Sequence, residues 1–478
     1  MLHRPHILLF LFLILSTTRM WGQRISISDD VQLRNDISYD ILGRYDDRIL
    51  LFRDKANKQE IQFFDDQMRF RNSKELELED RRVIMLGVTR HTDFFSLIYY
   101  YRRKSNLYIA VQQFDGKAQP IDTVHVVKVL ENIFLMPDYK MTISEDRSKV
   151  AIFSSDRERE MSIFVVDLIH FGLIGEHTLL FDDVILRRDF RSIEVSNQGL
   201  VAIILEKDNT VFKASEHLLK LFLLDPVTDQ ITSSDIPVTD RVTVDMHFQW
   251  DNINQCIVGA GLYSERSFDR SQGFFSMRYC LTDDAIYMQF HPFTEDILVD
   301  IYGKTVEERR GVEEVEVQDI LLREDGGMIL IGEIKKEFAR RSFYGDRPYT
   351  SAGYGYLSDY QYEDLILYSI QPNGDQQWAT VLHKKQYSHD DEAIYSSYFI
   401  FKNPSKVRLV FNDEISKENT VSEYVIRGNG EMLRNSLFNT EYQHLQLRFR
   451  DAVQISSTEF VVPSQRQLRL NLVKVDYR

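Results

Sequence analysis

Apolar and polar residues alternate along this chain in short runs, and the runs come in pairs. Leu107-Tyr-Ile-Ala-Val111, Leu219-Lys-Leu-Phe-Leu-Leu224 and Leu365-Ile-Leu-Tyr-Ser-Ile370 are of this kind, each followed by a turn and a second extended run. Alternation with a period of two marks strands rather than helices. The turns fall at Asp115-Gly116, Phe171-Gly172, Val227-Thr228, Asp283-Asp284, Asn373-Gly374 and Asn429-Gly430, 56 residues apart in every interval except one of 90. Constant spacing of this length means a repeated supersecondary unit, and tight turns between alternating runs make that unit a β-meander.

The runs group in fours. Tyr139-Lys-Met-Thr-Ile-Ser144, Lys149-Val-Ala-Ile-Phe153, Met161-Ser-Ile-Phe-Val-Val166 and Glu176-His-Thr-Leu-Leu-Phe181 form one set, and comparable sets occupy 37–78, 83–127, 191–238, 242–293, 315–382 and 394–438. A last set, 445–475, holds only three runs. Arg24-Ile-Ser-Ile-Ser28 and Val31-Gln-Leu33 precede the first set and supply the missing outer strand if the units close into a ring. The pattern predicts an all-β fold: a β-propeller, one domain over 23–478, of eight four-stranded blades closed by the N-terminal strand, with seven as the alternative count. The long interval carries its extra residues in 294–313 and 340–362, which propeller connectivity puts on one face, the expected binding face.

The 340–362 segment reads as a loop holding Tyr344, Tyr349, Tyr354, Tyr356, Tyr360 and Tyr362 with Arg340, Arg341 and Arg347. Tyrosine and arginine give large contact areas with polar tips, the composition of protein interfaces, so this loop is expected to bind; the competing reading is a cover over its own blade. His389-Asp390-Asp391-Glu392 is expected on the same face, where an imidazole beside carboxylates suits a hard cation or acid–base work, against the plainer reading of a solvated acidic turn. Trp378, at the start of an outer strand, reads as a packing residue that docks one repeat on the next.

Charge narrows the partners. With 58 Lys+Arg against 73 Asp+Glu the net is −15, which repels phosphate backbones and excludes a nucleic-acid partner. Residues 1–22 read as a secretory signal peptide: Arg4, then Ile7-Leu-Leu-Phe-Leu-Phe-Leu-Ile-Leu15, then a small residue at Gly22, too short an apolar run to span a membrane. No later stretch reaches span length, and no lipoprotein cysteine follows the apolar run. Cys256 and Cys280 fall in one hairpin, where strand register either pairs them as a disulfide, compatible with export, or leaves them two buried thiols. The histidines show no zinc spacing and there is no Gly-x-Ser-x-Gly elbow, so no catalytic residue, metal site or cofactor is assigned.

At Asp364-Leu-Ile-Leu-Tyr-Ser-Ile-Gln-Pro-Asn-Gly-Asp-Gln-Gln-Trp-Ala379, Lys384-Lys-Gln386, Asp390-Asp391, Tyr395-Ser-Ser-Tyr398 and Val410-Phe-Asn-Asp413, and earlier at Ile49-Leu-Leu-Phe-Arg-Asp54 and Leu97-Ile-Tyr-Tyr-Tyr-Arg102, the chain resembles an uncharacterised family of exported β-propellers of Bacteroidota. The resemblance implies a cell-envelope location, periplasmic or associated with the outer membrane, and brings no catalytic residues. The expected function is a non-catalytic platform for an outer-membrane or periplasmic protein, by analogy of fold alone. The alternative is a glycan-binding propeller or polysaccharide lyase, with Tyr354, Tyr356, His389 and Asp390 as its candidates.

Overall fold

The runs of four fold as antiparallel meanders, one sheet each, over 36–76, 83–130, 140–180, 190–237, 242–292, 315–382 and 399–439. The structure, a computed structural model, describes residues 23–477 apart from 133–135, 156–157, 266, 283–284, 308–309, 342–355, 414, 416–419 and 441–443. The signal-peptide segment 1–22 and the turn residues Asp283 and Asp284 therefore lie outside the described residues. An eighth sheet is composite: Val453–Gln454, Glu459–Arg466 and Arg469–Asp476, with Arg24–Ile27 as its outermost strand. Arg24 faces Asp476 and Ile27 faces Val473, and Val31–Gln32 continues along the same strand opposite Leu470 and Arg469. The count is eight blades, closed by the N-terminal strand. From blade 8 through blades 1 to 6 the first strands of successive sheets touch one another, on the channel side of the ring.

The middle strands of each blade are apolar at both parities because both faces of the sheet are covered. In Leu97-Ile-Tyr-Tyr100, Leu97 and Tyr99 pack with Phe52, Phe63 and Leu50 of blade 1, while Ile98 and Tyr100 pack with Val150, Ile152 and Phe164 of blade 3. The same division repeats around the ring, so the core is a set of wedges between blades rather than one central core. Outer strands have only an inner neighbour and are mostly exposed: Gln230–Pro237 buries Ile236 and exposes Ile231.

The recurring turns join the third and outer strands. Asp115, Asp167 and Asp225 accept backbone N–H groups two residues ahead, and Gly374 and Gly430 take φ of +89° and +87°, a region a Cβ penalises. Trp378 lies over the Gly428 to Gly430 turn of the next blade: its Nε1–H donates to the Gly428 oxygen at 3.4 Å, and a Cβ on Gly430 would stand 2.9 Å from the indole. Cys256 and Cys280 face each other in register, 4.0 Å apart at Cα, and form a disulfide between the second and third strands of blade 5. The ring seam carries a charge network. Glu459, 2 % exposed, takes Arg44 of blade 1 at 2.9 Å and Lys474 at 3.3 Å, and Asp66 of blade 1 takes the same two cations at 3.0 and 2.7 Å.

Two predictions follow from this architecture. A Cys256→Ala/Cys280→Ala variant loses about 3 kcal/mol, the loop-closure value for a bridge of this span; an unchanged guanidinium midpoint would contradict this. Burial pushes Glu194, on the inner strand of blade 4, up to about 7 from the usual 4.5, with the Ser192 hydroxyl opposing at 2.5 Å. The native carboxyl holds its proton to higher pH than the unfolded one does, so stability falls as pH rises between these values. Glu194→Gln should gain roughly 1–3 kcal/mol at about pH 8 and nothing below about pH 4, read by urea unfolding across pH.

Candidate functional site

Blade 6 departs from its neighbours in its second and third strands, Met328–Arg341 and Tyr356–Ile370, of 14 and 15 residues. The first strand, Val315–Leu322, accompanies Met328–Arg341 only to the Val315–Ile334 pair, after which Lys335 N–H donates to Glu314 O at 2.8 Å. The long pair continues past a bulge at Glu333 and Lys335, from Lys335 opposite Tyr362 to Arg341 opposite Tyr356. Gln386–His389 then adds to the far side, with Gln386 opposite Tyr362 and His389 opposite Asp359. Three strands thus stand above the blade as a flap.

This corrects the expectation of a loop over 340–362. Arg340, Arg341, Tyr356, Tyr360 and Tyr362 are strand residues. Polar and aromatic side chains on both faces hide the strand in the sequence, while backbone pairing defines it. Tyr344, Tyr349 and Tyr354 lie outside the described residues.

Residues directly opposed in a sheet share a face. Lys335, Tyr362 and Gln386 form one row, and Glu337, Tyr360 and Ser388 lie on the same side; Tyr362, Gln386 and Ser388 are buried. The opposite face carries Lys336, Gln361 and Tyr387, then Phe338, Asp359 and His389, with Phe338 46 % and Tyr387 39 % exposed. Tyr387 donates its hydroxyl to Asp359 at 3.0 Å, and the Tyr387 and His389 rings lie 6.3 Å apart. Of the predicted site residues, Tyr360, His389 and Asp390 thus come together in one flap, with Tyr360 on the other face from His389. Asp390 is committed to the turn: its carboxylate accepts Ser358 N–H at 3.0 Å and its own N–H donates to Ser358 O at 2.9 Å. Asp391 similarly accepts from the Ser388 hydroxyl and Ala393 N–H. Among the described residues no group of three or more His, Cys, Asp or Glu is placed to hold a metal ion.

Beneath the flap lies a polar knot that sequence reading missed. Glu333 and Lys384 are fully buried and form an ion pair, Nζ 2.5 Å from Oε1; the Lys384 ammonium also donates to Gln386 Oε1 at 2.9 Å. Ser397 donates its hydroxyl to Glu333 Oε2 at 3.0 Å, and Gln386 Nε2 donates to the Ser397 and Asn412 oxygens at 3.1 and 2.8 Å. Asn412 donates onward to the Tyr395 and Leu447 oxygens, tying blades 6, 7 and 8. Tyr398 donates to Asp319 at 2.6 Å, and burial holds that phenol well above its usual range. Burial also pulls the Lys384 ammonium down, against the pull of Glu333. Lys384, Gln386, Tyr398 and Asn412 all belong to the motifs that carried the family resemblance. A lone glutamate inside the apolar run Met328-Ile-Leu-Ile-Gly-Glu-Ile334 was the available signal, since such a charge requires a buried partner.

The exposed face continues into a cleft of about 970 Å³ between blades 6 and 7. Lys336 bridges to Glu363 at 2.5 Å, and Glu363, Asp364, His383, Lys385, Asp413 and Arg434 line the cleft. His383 Nδ1 meets Asp364 at 3.2 Å, and Arg434 grips both Asp413 oxygens while lying 5.5 Å over Tyr424. The segment after Phe293 is not a free loop. Glu295–Tyr302 is a helix capped by the Thr294 side chain and ended by Gly303 at φ +66°, and its Ile297 and Leu298 are buried in the wedge between blades 5 and 6. Its apolar side is spent on the core.

No family model matches the chain, and no curated protein matches it. Among solved structures it is similar to the propeller domain of the trilobed protease of Pyrococcus furiosus, at 13% identity and TM-score 0.38, covering 82% of this chain and 95% of that one. It is similar to the WD40 domain of SCAP from fission yeast, at 9% identity and TM-score 0.43 over 96% of each chain. Dipeptidyl peptidase 4 of Porphyromonas gingivalis matches at 9% identity and TM-score 0.46, over 90% of this chain and 56% of that one. These likenesses concern the propeller fold alone.

Lys384→Met leaves Glu333 buried without a counter-charge and should cost about 3–5 kcal/mol, whereas Glu333→Leu/Lys384→Met should recover most of that loss. A double variant no more stable than the single one would show that the pair does not act as a unit.

Proposed function

We propose that the protein is a non-catalytic, exported interaction platform of the cell envelope, and that it docks a periplasmic or outer-membrane protein through the flap of blade 6. The observation that carries this reading is the inner edge of Met328–Arg341, the one that faces the first strand. Beyond Lys335, whose N–H donates to Glu314 O, this edge has no strand partner among the described residues, which leaves room for an added strand. Exposed edges are normally short or covered, because they template pairing with other chains. An extended segment of a partner adding here gains main-chain hydrogen bonds, and Phe338, on the edge strand itself, supplies apolar contact beside it. The signal-like N-terminus, the disulfide and the excess of acid over base are in keeping with an envelope protein and a protein partner.

A photo-crosslinking residue at position 338 tests the reading in the native envelope, with Ile253 as control: it is 70 % exposed on a turn at the opposite end of the blades. The expected result is an adduct with one envelope protein at 338 and none at 253, and at least tenfold weaker capture of that protein by Phe338→Asp. Absence of an adduct at 338, or the same adducts at both positions, would sink the proposal.

A further inference from the structure

At three junctions a ring from the outer strand of one blade sits on the third turn of the next. The His125 ring of blade 2 stacks on Phe171 of blade 3, with centroids 4.0 Å apart and planes 12° from parallel. The His177 imidazole of blade 3 meets Asp229 of blade 4 at 3.1 Å, and the Trp378 indole of blade 6 covers the Gly428 to Gly430 turn of blade 7. The junction of blades 5 and 6 differs. Its outer-strand side chain is Gln289, which donates from Nε2 to the Asn373 oxygen at 3.2 Å, and a Cβ on Gly374 would stand 2.5 Å from its amide. Beside this linear side chain opens a cleft of about 440 Å³.

The walls of the cleft suit a ring. Met328, 3 % exposed, Cys280 of the disulfide, Pro372 and Tyr287, 56 % exposed, supply its apolar part. Two of its polar side chains are already engaged: Ser276 Oγ lies 3.0 Å from His291 Nε2, and the Arg278 guanidinium donates to the Gly326 oxygen. Sulfur, a tyrosine ring and a guanidinium each interact favourably with an aromatic group. A cleft of this volume falls within the range of small-molecule sites. We propose that it binds a free planar aromatic compound about the size of an indole, in the place that the Trp378 ring takes one junction further on. The turn Gln371 to Asp375 lies at the far end of Tyr356–Ile370 from the flap, so binding here is independent of the docking site proposed above.

NMR of the whole protein, isotope-labelled at the methionine methyls and titrated with indole to about 5 mM, tests this. The Met328 signal, identified by its absence from a Met328→Leu variant, should move saturably under the ring current, while that of Met161, buried in the wedge between blades 3 and 4, should stay in place. Cyclohexanol, which has no π face, should bind about tenfold more weakly in competition with indole. Gln289→Trp should fill the cleft from within and weaken indole binding about tenfold or more. Should that variant fail to fold, the methyl shifts and the cyclohexanol comparison still decide the matter. No movement of Met328, equal movement of Met161, equal affinity for cyclohexanol, or undiminished binding by a folded Gln289→Trp would overturn the proposal.

Discussion

Every blade depends on having a neighbour on both sides. The middle strands carry apolar residues at both parities, so a sheet standing alone would expose one complete apolar face; only a closed ring covers them all. Closure thus governs the whole molecule, and it rests on Arg24–Ile27 pairing with Arg469–Asp476 from the other end of the chain. Main-chain pairing forms that seam, and Arg44 and Asp66 of blade 1 tie it to Glu459 and Lys474 of blade 8. Buried ion pairs are weak evidence for stability, but a ring that failed to bring blade 1 against blade 8 would take Arg44 away from the buried Glu459.

The same logic places the flap. Its three strands have little apolar surface of their own, so their position comes from the polar knot beneath them. Glu333 on the long strand, Lys384 and Gln386 on the added strand, and Ser397 and Asn412 of blade 7 satisfy one another only in this arrangement. The outward face carries Phe338, Tyr387 and His389, with Tyr387 bonded to Asp359. A rigid, polar-anchored inner face behind an exposed, partly aromatic outer face is a sound base for binding, since little is lost in ordering it.

Much of the fold was legible. Turn spacing gave the repeat, and the position of Cys256 and Cys280 about one hairpin gave their opposition. The reach of 340–362 was not legible, because Glu337-Phe-Ala-Arg340 and Tyr360-Gln-Tyr362 alternate poorly in polarity and strand pairing beyond the core leaves no hydrophobic signature. His389 and Asp390 were found by composition, but their place beside Asp359 required knowledge of which strand Gln386–His389 joins. Thr294 to Gly303 read as connection, although its Thr cap and terminal glycine are ordinary helix boundaries.

By itself, then, the sequence determined the unit and the way the ends meet and narrowed the number of units to eight or seven, because these follow from local periodicity repeated along the chain; the structure fixed it at eight. Only the tertiary structure decided which face of the flap is exposed and which charges are paired beneath it. Those facts depend on distances between residues far apart in the chain, set by how adjacent blades pack, and no local pattern records them.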